Sequence, residues 1–185
     1  MGLFNKLFGN NKKVPSQPAP TLQPQTPPRP ETLSVTSEKG LVLAPVTGSL
    51  VANEDIPDAL FAQEILGRTV AVKPEDDIVY APVAGTVVTV MPHAVGIKSD
   101  DDVEVLVHIG VDTVSLDGRG FTTWAKQGDR ISAGEALASF NSEAIVQAGF
   151  SDLVMTIVTS PSDLAATEVV ARDAVLAGAP IARVV

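Results

Sequence analysis

Apolar residues from about residue 38 onward occur in short runs that Gly, Pro and Asp interrupt. The segments "LAPVTGSLV" (43–51) and "YAPVAGTVV" (80–88) form an internal repeat whose copies lie 37 residues apart. In each copy a strand leads into a Pro-containing bend, a Gly turn and a second strand. The repeat therefore predicts two similar pairs of short strands.

Two later segments, "KQGDRISAGEAL" (126–137) and "VLAGAPIARV" (175–184), also place a Gly turn before or between strand-like runs. Many short strands at this spacing predict an all-β fold, either a sandwich or a barrel, with short helical turns. One short helix is predicted, with Asn141 or Ser142 as its N-cap and residues 143–147 as its body.

Residues 78–97 contain no charged side chain and must be tested as a membrane span. Pro82, Gly85 and Pro92 interrupt this stretch, and its apolar residues come in short β-rich runs. A lipid-exposed helix with two interior prolines would leave backbone groups unpaired. We therefore predict strands and turns here, and no transmembrane segment.

The run "VEVLVHIGVDTV" (103–114) places a histidine inside a β-branched segment. If it is a strand, alternate side chains point to opposite faces. One face, directed to a core, carries Val103, Val105, Val107, Ile109 and Val111. The other carries Glu104, Leu106, His108, Gly110 and Asp112. His108 is therefore predicted to lie off the valine face, although a histidine satisfied by a backbone carbonyl remains an alternative to a functional one.

The N-terminus divides into two segments. Residues 1–13, "MGLFNKLFGNNKK", place four large apolar residues on one helical face with lysines in polar surroundings. This pattern predicts an amphipathic helix on anionic membrane, with a frayed and solvated end as the alternative. Residues 14–37 are rich in Pro, Gln, Ser and Thr and predict a disordered, extended spacer. The folded domain is expected to span residues 38–185.

Charge and cysteine content narrow the possible functions. The net charge is −9, and the lysines at positions 6, 12 and 13 leave −12 on residues 14–185. Such a body repels phosphate backbones, so nucleic-acid binding is not expected. The chain contains no cysteine, which excludes disulfides, thiolate nucleophiles and sulfur-ligated metals. Imidazole chemistry must use His93 or His108, because the chain has only two histidines.

A hydrolytic triad is not supported by these residues. Asp112 lies four residues beyond His108, about 13 Å along an ideal strand. A direct pair would need a sharp bend at Gly110. The chain also has no G-x-S-x-G nucleophile motif.

The segment "VEVLVHIGVDTVSLDGRGF" resembles the active-site region of the glucose-type enzyme IIA domains of the bacterial phosphoenolpyruvate-dependent sugar phosphotransferase system. The resemblance extends through "APVTGSLV", "DIPDALFAQEILGRTVAVKP", "APVAGTVVTV", "PHAVGIKSDDDVEVLVHIG" and "KQGDRISAGEAL". It covers about residues 40–185, with several motifs in order. The amphipathic start is similar to the membrane-associating tail of some stand-alone members.

This resemblance implies a flattened antiparallel β-sandwich with two close histidines in a shallow apolar depression. His108 matches the phosphorylated residue, and His93, 15 residues earlier, matches its partner. Gly110 matches the residue whose carbonyl holds the Nδ1 hydrogen of His108, which leaves Nε2 free to attack phosphate. The chain departs from the pattern at Met91, where relatives often carry a threonine that could contact the phosphate.

A relay histidine must release the phosphoryl group as readily as it accepts it. Residues 99–118 contain no Lys or Arg, which argues against a permanent phosphate clamp. Transition-state charge would then be neutralised by basic groups of the partners. An acidic rim that orients a basic donor is expected from Asp58, Glu104 and Asp112. An apolar docking surface is expected from Leu60, Phe61 and Leu106, with a packed interior as the alternative.

The resemblance also implies the partners. The donor would be a histidine phosphocarrier protein, and the acceptor a IIB/IIC sugar permease. The IIB carrier commonly uses cysteine, and the sugar channel spans the membrane; both are expected on other polypeptides. The protein is expected to be cytoplasmic and peripheral at the inner face of the membrane. No cofactor is required, but His93 and His108 could hold Zn²⁺ with a third ligand from Asp112 or another protein.

Three other function classes compete with the relay. Biotin and lipoyl carriers use similar turns but need an exposed Lys in a tight turn between the halves, which is missing here. A zinc-binding β-domain related to metallopeptidases would need at least three ligands, and the His-x-His motif is absent. A regulatory binding protein that is not phosphorylated remains open, and a phosphorylation assay would decide.

Overall fold

The structure, a computed structural model, describes residues 26–159 and 167–185. These residues form 14 strands, two short α-helices and two 3₁₀ turns. The first seven strands are β1 (Leu41–Leu43), β2 (Gly48–Val51), β3 (Arg68–Pro74), β4 (Ile78–Tyr80), β5 (Gly85–Met91), β6 (Ala94–Ser99) and β7 (Glu104–Val111). The others are β8 (Phe121–Thr123), β9 (Arg130–Ile131), β10 (Ala136–Phe140), β11 (Ser151–Val158), β12 (Thr167–Val169), β13 (Ala174–Val175) and β14 (Pro180–Val184). The helices are α1 (Ala59–Ala62) and α2 (Ser142–Gln147), and the 3₁₀ turns are Asn53–Asp55 and Thr113–Leu116.

The strands form three antiparallel sheets. The largest has eight strands in the order β13-β2-β3-β11-β7-β6-β5-β9. Two three-stranded sheets have the orders β4-β10-β8 and β1-β14-β12. The predicted all-β architecture is therefore confirmed.

The internal repeat corresponds to two similar pairs of strands. β1 and β4 end at Leu43 and Tyr80, and β2 and β5 begin at Gly48 and Gly85, which preserves the 37-residue offset. A Cβ atom at Gly48 or Gly85 would collide with a backbone carbonyl of the neighbouring strand. Each repeat glycine therefore permits a close strand approach that a side chain would block.

Two layers of apolar side chains lie on opposite faces of the eight-stranded sheet. The main core joins this sheet to the β4-β10-β8 sheet through residues such as Val79, Val107, Ile109, Leu137, Phe140 and Val154. The outer cluster lies on the other face, beneath α1, and consists of Ile56, Phe61, Ala71, Val111, Leu153, Met155 and Ile157, with Val51, Ala62 and Leu106 at its edge. The alternation of side chains along β7 and β11 directs neighbouring residues to these two layers.

The predicted faces of the 103–111 strand are correct for most of its length. Val103, Val105, Val107 and Ile109 belong to the main core, and His108 and Leu106 are half-buried on the other face. The prediction for Val111 is wrong, because Val111 packs in the outer cluster. Gly110 has a φ of 76°, in the left-handed region, and this conformation interrupts the alternation between Ile109 and Val111.

Residues 78–97 form parts of β4, β5 and β6, as the sequence predicts. Pro82 lies in the turn between β4 and β5, and Pro92 in the turn between β5 and β6. In the part of the chain that the structure describes, no helix is long and apolar enough to cross a membrane.

Part of the predicted spacer packs on the domain. Trp124 donates from Nε1 to the carbonyl of Pro27 over 2.8 Å, and Val35 packs beside Leu41 and Leu43. Residues 27–35 of the predicted spacer therefore contact the folded domain. Residues 1–25, including the predicted amphipathic helix, lie outside the described residues.

The predicted helix with residues 143–147 as its body is confirmed as α2, which begins one residue earlier at Ser142. Asn141 is its N-cap, and its side chain accepts a hydrogen bond from the Ala144 backbone N–H at 2.8 Å. The carboxylate of Asp152, which is 3% exposed, accepts hydrogen bonds from the Ser142 hydroxyl at 2.6 Å and from Lys73 Nζ. These contacts connect the start of α2 to β11 and β3.

Replacement of Asp152 by asparagine is expected to lower the free energy of unfolding at pH 7 by about 1–3 kcal/mol, the cost of a lost charged hydrogen bond. Burial acts to raise the pKa of Asp152, but the hydrogen bonds from Lys73 and Ser142 outweigh it, so the pKa is lowered. Ionised Asp152 therefore contributes to the free energy of unfolding above the unfolded-state pKa of about 3.9. This contribution is lost as the pH falls through the lower folded-state pKa. Urea unfolding at pH 7 and pH 3 measures this loss.

The exposed Asp76 provides a matched control for this measurement. Asp76→Asn should leave the free energy of unfolding within about 0.5 kcal/mol of the wild-type value at both pH values. If Asp152→Asn destabilised the protein equally at pH 7 and pH 3, the loss would come from packing, and the charged pair would have no part in it.

Candidate functional site

His108 lies near the end of β7, a central strand of the eight-stranded sheet. Its Cα is paired with Ala94 of β6 on one side and Met155 of β11 on the other. The side chain projects from the outer face and is half-buried. Two neighbouring strands therefore fix the backbone, while the imidazole remains accessible at the surface of the sheet.

His93 lies beside His108, although the two are 15 residues apart in the chain. It follows Pro92 in the turn before β6 and is 8% exposed. Its carbonyl accepts a hydrogen bond from the Ile109 backbone N–H at 2.7 Å. The ring centroids of the two histidines are 5.1 Å apart, with the planes inclined at 65°. The structure thus brings together the two histidines that the sequence singles out.

Gly110 orients the His108 imidazole. The Nδ1 atom of His108 lies 2.8 Å from the Gly110 carbonyl oxygen. A carbonyl can only accept a hydrogen bond, so Nδ1 must carry the proton and Nε2 of the neutral ring has a free lone pair. A Cβ atom at position 110 would collide with the Thr113 side chain, whose hydroxyl donates to the Ile109 carbonyl at 2.6 Å. A glycine is needed where the chain makes this turn.

Burial is the main influence on the protonation of both imidazoles. It lowers the pKa of His93. It also lowers the pKa of His108; the hydrogen bond to Gly110 opposes this shift, His93 reinforces it, and the charges of Asp58 and Asp112 oppose it. Because the ordinary histidine pKa is about 6.5, both rings are neutral at pH 7. The free Nε2 of His108 is therefore in its nucleophilic form.

Phe61 forms a wall of the site from the short helix α1, which the sequence analysis did not predict. Its ring centroid lies 5.0 Å from that of His108, and the side chain is buried in the outer cluster. Asp58 caps the helix, because its carboxylate accepts the Leu60 backbone N–H at 2.7 Å. After the helix, the Glu64 carboxylate accepts from the Thr69 N–H at 3.1 Å and pairs with Arg68 at 2.7 Å. These contacts hold α1 against the sheet.

The three apolar residues predicted for docking have different environments. Leu60 is 48% exposed, Leu106 is half-buried beside the outer cluster, and Phe61 is buried. Leu60 is thus available to a partner, whereas Phe61 supports the His108 ring. Phe61 is therefore part of the packed interior and not of an exposed docking surface.

Two of the three predicted acidic residues, Asp58 and Asp112, are near enough to influence the pKa of His108. Asp58 is near enough to influence the His108 pKa while its carboxylate caps α1. Asp112 is exposed with a φ of 60° and starts the 3₁₀ turn, and Nδ1 of His108 bonds to Gly110 instead. Glu104 lies at the other end of β7, about 13 Å away along the strand.

Sequence reasoning missed several exposed apolar residues close in the chain to these groups. Ile65 and Leu66 follow α1 and are 60% and 41% exposed. Val114, two residues after Asp112, is 62% exposed, and Met91, two residues before His93, is 40% exposed. The segment "ALFAQEILG" does not indicate which of its apolar residues are exposed, and in the structure the left-handed Glu64 (φ 55°) precedes Ile65 and Leu66.

A zinc site is not completed by the residues around the pair. Within residues 26–159 and 167–185, His, Asp and Glu side chains form no group of three or more that could hold a metal ion. The third ligand expected from Asp112 is therefore not in place. Two imidazole nitrogens alone do not satisfy the tetrahedral preference of Zn²⁺.

The chain is similar to known proteins in both sequence and fold. The sequence model of the family described as "phosphoenolpyruvate-dependent sugar phosphotransferase system, EIIA 1" matches residues 41–164. A glucose-specific EIIA component of the phosphotransferase system from Halalkalibacterium halodurans is 38% identical over 178 residues, covering 95% of this chain and 94% of that protein. The β-glucoside-specific EIIBCA component of Bacillus subtilis is 38% identical over 122 residues, which are 65% of this chain and 20% of that protein.

A solved structure has the same fold. The glucose permease IIA from Mycoplasma capricolum superposes with a TM-score of 0.70 and 32% sequence identity, covering 77% of this chain and 93% of that chain. The flattened β-sandwich expected from the sequence motifs agrees with this match.

Proposed function

This chain belongs to the EIIA 1 family of the phosphoenolpyruvate-dependent sugar phosphotransferase system and is a phosphocarrier of that system, and we propose that His108 is the residue that carries the phosphoryl group. One observation supports this assignment above the others. The Gly110 carbonyl holds Nδ1–H of His108, so the Nε2 lone pair of a neutral imidazole is directed outward beside His93.

The transfer step is a displacement at phosphorus. Nε2 of His108 attacks the phosphoryl group of a phosphohistidine on the donor, a new N–P bond forms, and the donor N–P bond breaks. The donor imidazole leaves with the electron pair of the broken bond. No proton needs to leave His108, because its single ring proton is already on Nδ1 and stays with the Gly110 carbonyl. Transfer to the acceptor repeats the displacement with His108 as the leaving group.

His93 is proposed to stabilise the transferred group. An N–H of its neutral ring, 5.1 Å from His108 between centroids, can donate to a phosphoryl oxygen once the group is bound. The His93 backbone is held in place because its carbonyl accepts a hydrogen bond from the Ile109 N–H. The His93 ring therefore needs little reorganisation to donate its N–H during transfer. Residues 99–118 carry no Lys or Arg, which favours a partner that supplies the cationic groups to balance the charge.

The partners are proposed from the family and from the exposed surface. The donor is a histidine phosphocarrier protein, and the acceptor is the IIB part of a IIB/IIC sugar permease; the EIIBCA relative combines domains of these names in one chain. The exposed Leu60, Ile65 and Leu66 offer an apolar contact on the segment whose Phe61 packs against His108, with Asp58 and Asp112 as nearby negative charge. A basic partner with an apolar patch suits this surface.

Intact mass after incubation with phosphoenolpyruvate and the general phosphotransfer proteins tests the proposal. We expect the gain of one phosphate, which is released in acid, as a phosphohistidine requires. A protein that acts only as a regulatory binding partner would gain none, and an acid-stable modification would contradict the histidine assignment.

We propose that residues 1–13 attach the protein reversibly to the inner face of the cytoplasmic membrane. Four apolar residues and three lysines favour an anionic lipid surface, with about 1 kcal/mol for each lysine. Deletion of residues 1–13 should leave phosphorylation by the soluble donor unchanged and slow transfer to the membrane-bound permease. Co-sedimentation with anionic vesicles at low and high salt, measured with both transfer rates, checks this. Equal sedimentation of the full-length and truncated proteins at low salt would show that the segment does not bind lipid.

A further inference from the structure

Residues 27–35, called the strap below, lie against the domain without regular secondary structure. The strap contains the sequence "PPRPETLSV", which begins with three prolines in four residues. Such a sequence favours the polyproline II conformation, whose backbone carbonyls have no internal hydrogen bonds. These carbonyls are available to donors on another surface.

The first part of the strap is held by polar contacts to the end of β8 and the start of β10. The Trp124 indole donates to the Pro27 carbonyl at 2.8 Å. The Arg29 guanidinium donates from Nε to the Ala136 carbonyl at 2.6 Å and pairs through Nη1 with Glu135 at 2.7 Å. The other carboxylate oxygen of Glu135 accepts a hydrogen bond from the Ser132 backbone N–H at 2.9 Å. This bond orients the carboxylate toward Arg29.

The second part of the strap fits against two glycine turns. The Leu33 backbone N–H donates to the Gly134 carbonyl at 2.9 Å. A Cβ atom at Gly134 would be 3.1 Å from a Val35 methyl, and one at Gly178 would be 2.6 Å from it. Both glycines also have positive φ values, in the left-handed region that favours glycine. The absence of a side chain at each turn leaves room for the strap.

The strap and the histidines lie on opposite sides of the molecule. Trp124 directly follows β8 and Ala136 begins β10, and both strands belong to the sheet that covers the main core. His108 projects from the other face of the eight-stranded sheet, into the outer cluster. No residue that contacts the strap is part of the histidine site in the described chain.

We propose that Trp124, Glu135, Gly134 and Gly178 form a recognition groove for a Pro-rich segment, and that its occupant is the strap of the same chain. Polyproline segments dock in aromatic-lined grooves, and here the Trp124 indole N–H donates to the Pro27 carbonyl while Glu135 pairs with Arg29. The groove ties the N-terminal segment to the face away from the histidines. It therefore leaves the histidine face open to partners.

Trp124 is the only tryptophan in the chain, so its fluorescence reports directly on the groove. Arg29→Ala in the full chain should lower the docked-to-undocked ratio roughly 10-fold, because a charge-assisted hydrogen bond is lost. The emission should move to longer wavelength and acrylamide quenching should increase. Glu135→Gln should have the same effect, while the exposed Arg172→Ala provides the matched control and should match the wild type.

A synthetic peptide of residues 26–37 tests whether the groove binds the strap sequence when the two are not covalently connected. At millimolar concentration, comparable to the effective concentration of a short tethered segment, it should restore wild-type emission to Arg29→Ala but not to Glu135→Gln. An unchanged emission in Arg29→Ala, or failure of the peptide to restore it, would overturn the proposal. An emission that varies with protein concentration would show that the strap is exchanged between two copies. Phosphate uptake should be unaffected in all three variants, which keeps this test independent of the role of His108.

Discussion

Replacement of His108 by alanine is expected to abolish phosphorylation of the protein by the phosphocarrier donor. The neutral imidazole offers its lone pair at Nε2, because the Gly110 carbonyl fixes the proton on Nδ1. His93 cannot take over this position, since it is 8% exposed and lies in a turn beside the strand. The measurement is intact mass after incubation with phosphoenolpyruvate and the general phosphotransfer proteins, and the expected gain for His108→Ala is zero.

The same variant should remain folded. His108 is half-buried on the outer face and takes no part in the main core, so its loss removes only the ring contacts with Phe61 and His93 and the hydrogen bond to Gly110. Such an aromatic contact contributes about 0.5–1.5 kcal/mol beyond its buried area. His108→Gln is the matched control, because it keeps most of the side-chain volume and a polar end but cannot attack phosphorus. Phosphate uptake by either variant in its folded form would exclude His108 as the carrier.

The repeat and most of the histidine strand could be predicted because they depend on local patterns. The "APVTG" and "APVAG" turns fix where strands end and begin, and the valine alternation places His108 off the core. The change of face at Val111 could not be predicted from alternation. It depends on the left-handed Gly110, whose conformation is stabilised by contacts with Thr113 that form only in the folded chain.

The apolar surface around the site also depends on tertiary contacts. Phe61 and Ile65 are both apolar residues of one short segment, yet the first is buried and the second is 60% exposed. Their difference arises because Glu64 adopts a left-handed conformation and bonds to Arg68 and Thr69. The composition of the strap predicts a spacer, and its contacts with the domain likewise depend on tertiary structure. Proline content indicates an extended chain, but whether that chain is free depends on a groove built by distant residues such as Trp124 and Glu135.

Replacement of His93 by alanine is expected to slow phosphoryl transfer by about 10²–10³-fold, the usual cost of losing one preorganised donor to a developing charge. The reduction should be similar for transfer from the donor and for transfer to the acceptor, because the phosphoryl oxygens beside His108 and His93 are stabilised in both steps. His93 also lowers the pKa of His108, so its removal cannot make the nucleophile less basic. A slower rate in His93→Ala would therefore come from lost stabilisation of the phosphoryl oxygens. Rapid-quench measurements with the donor and with the IIB acceptor give the two rates.

A purely structural role for His93 makes a different prediction. Its carbonyl bond to Ile109 is a backbone contact, so alanine retains it and loses only the buried ring. His93→Gln restores an N–H donor on a flexible side chain, and it should recover part of the transfer rate without changing the melting temperature relative to His93→Ala. If the imidazole served only to pack against His108, both variants would lose stability together and the rates would follow the folded fraction. Wild-type rates in His93→Ala would contradict a role for His93 in stabilising the phosphoryl group, and the partner proteins alone would then supply that stabilisation.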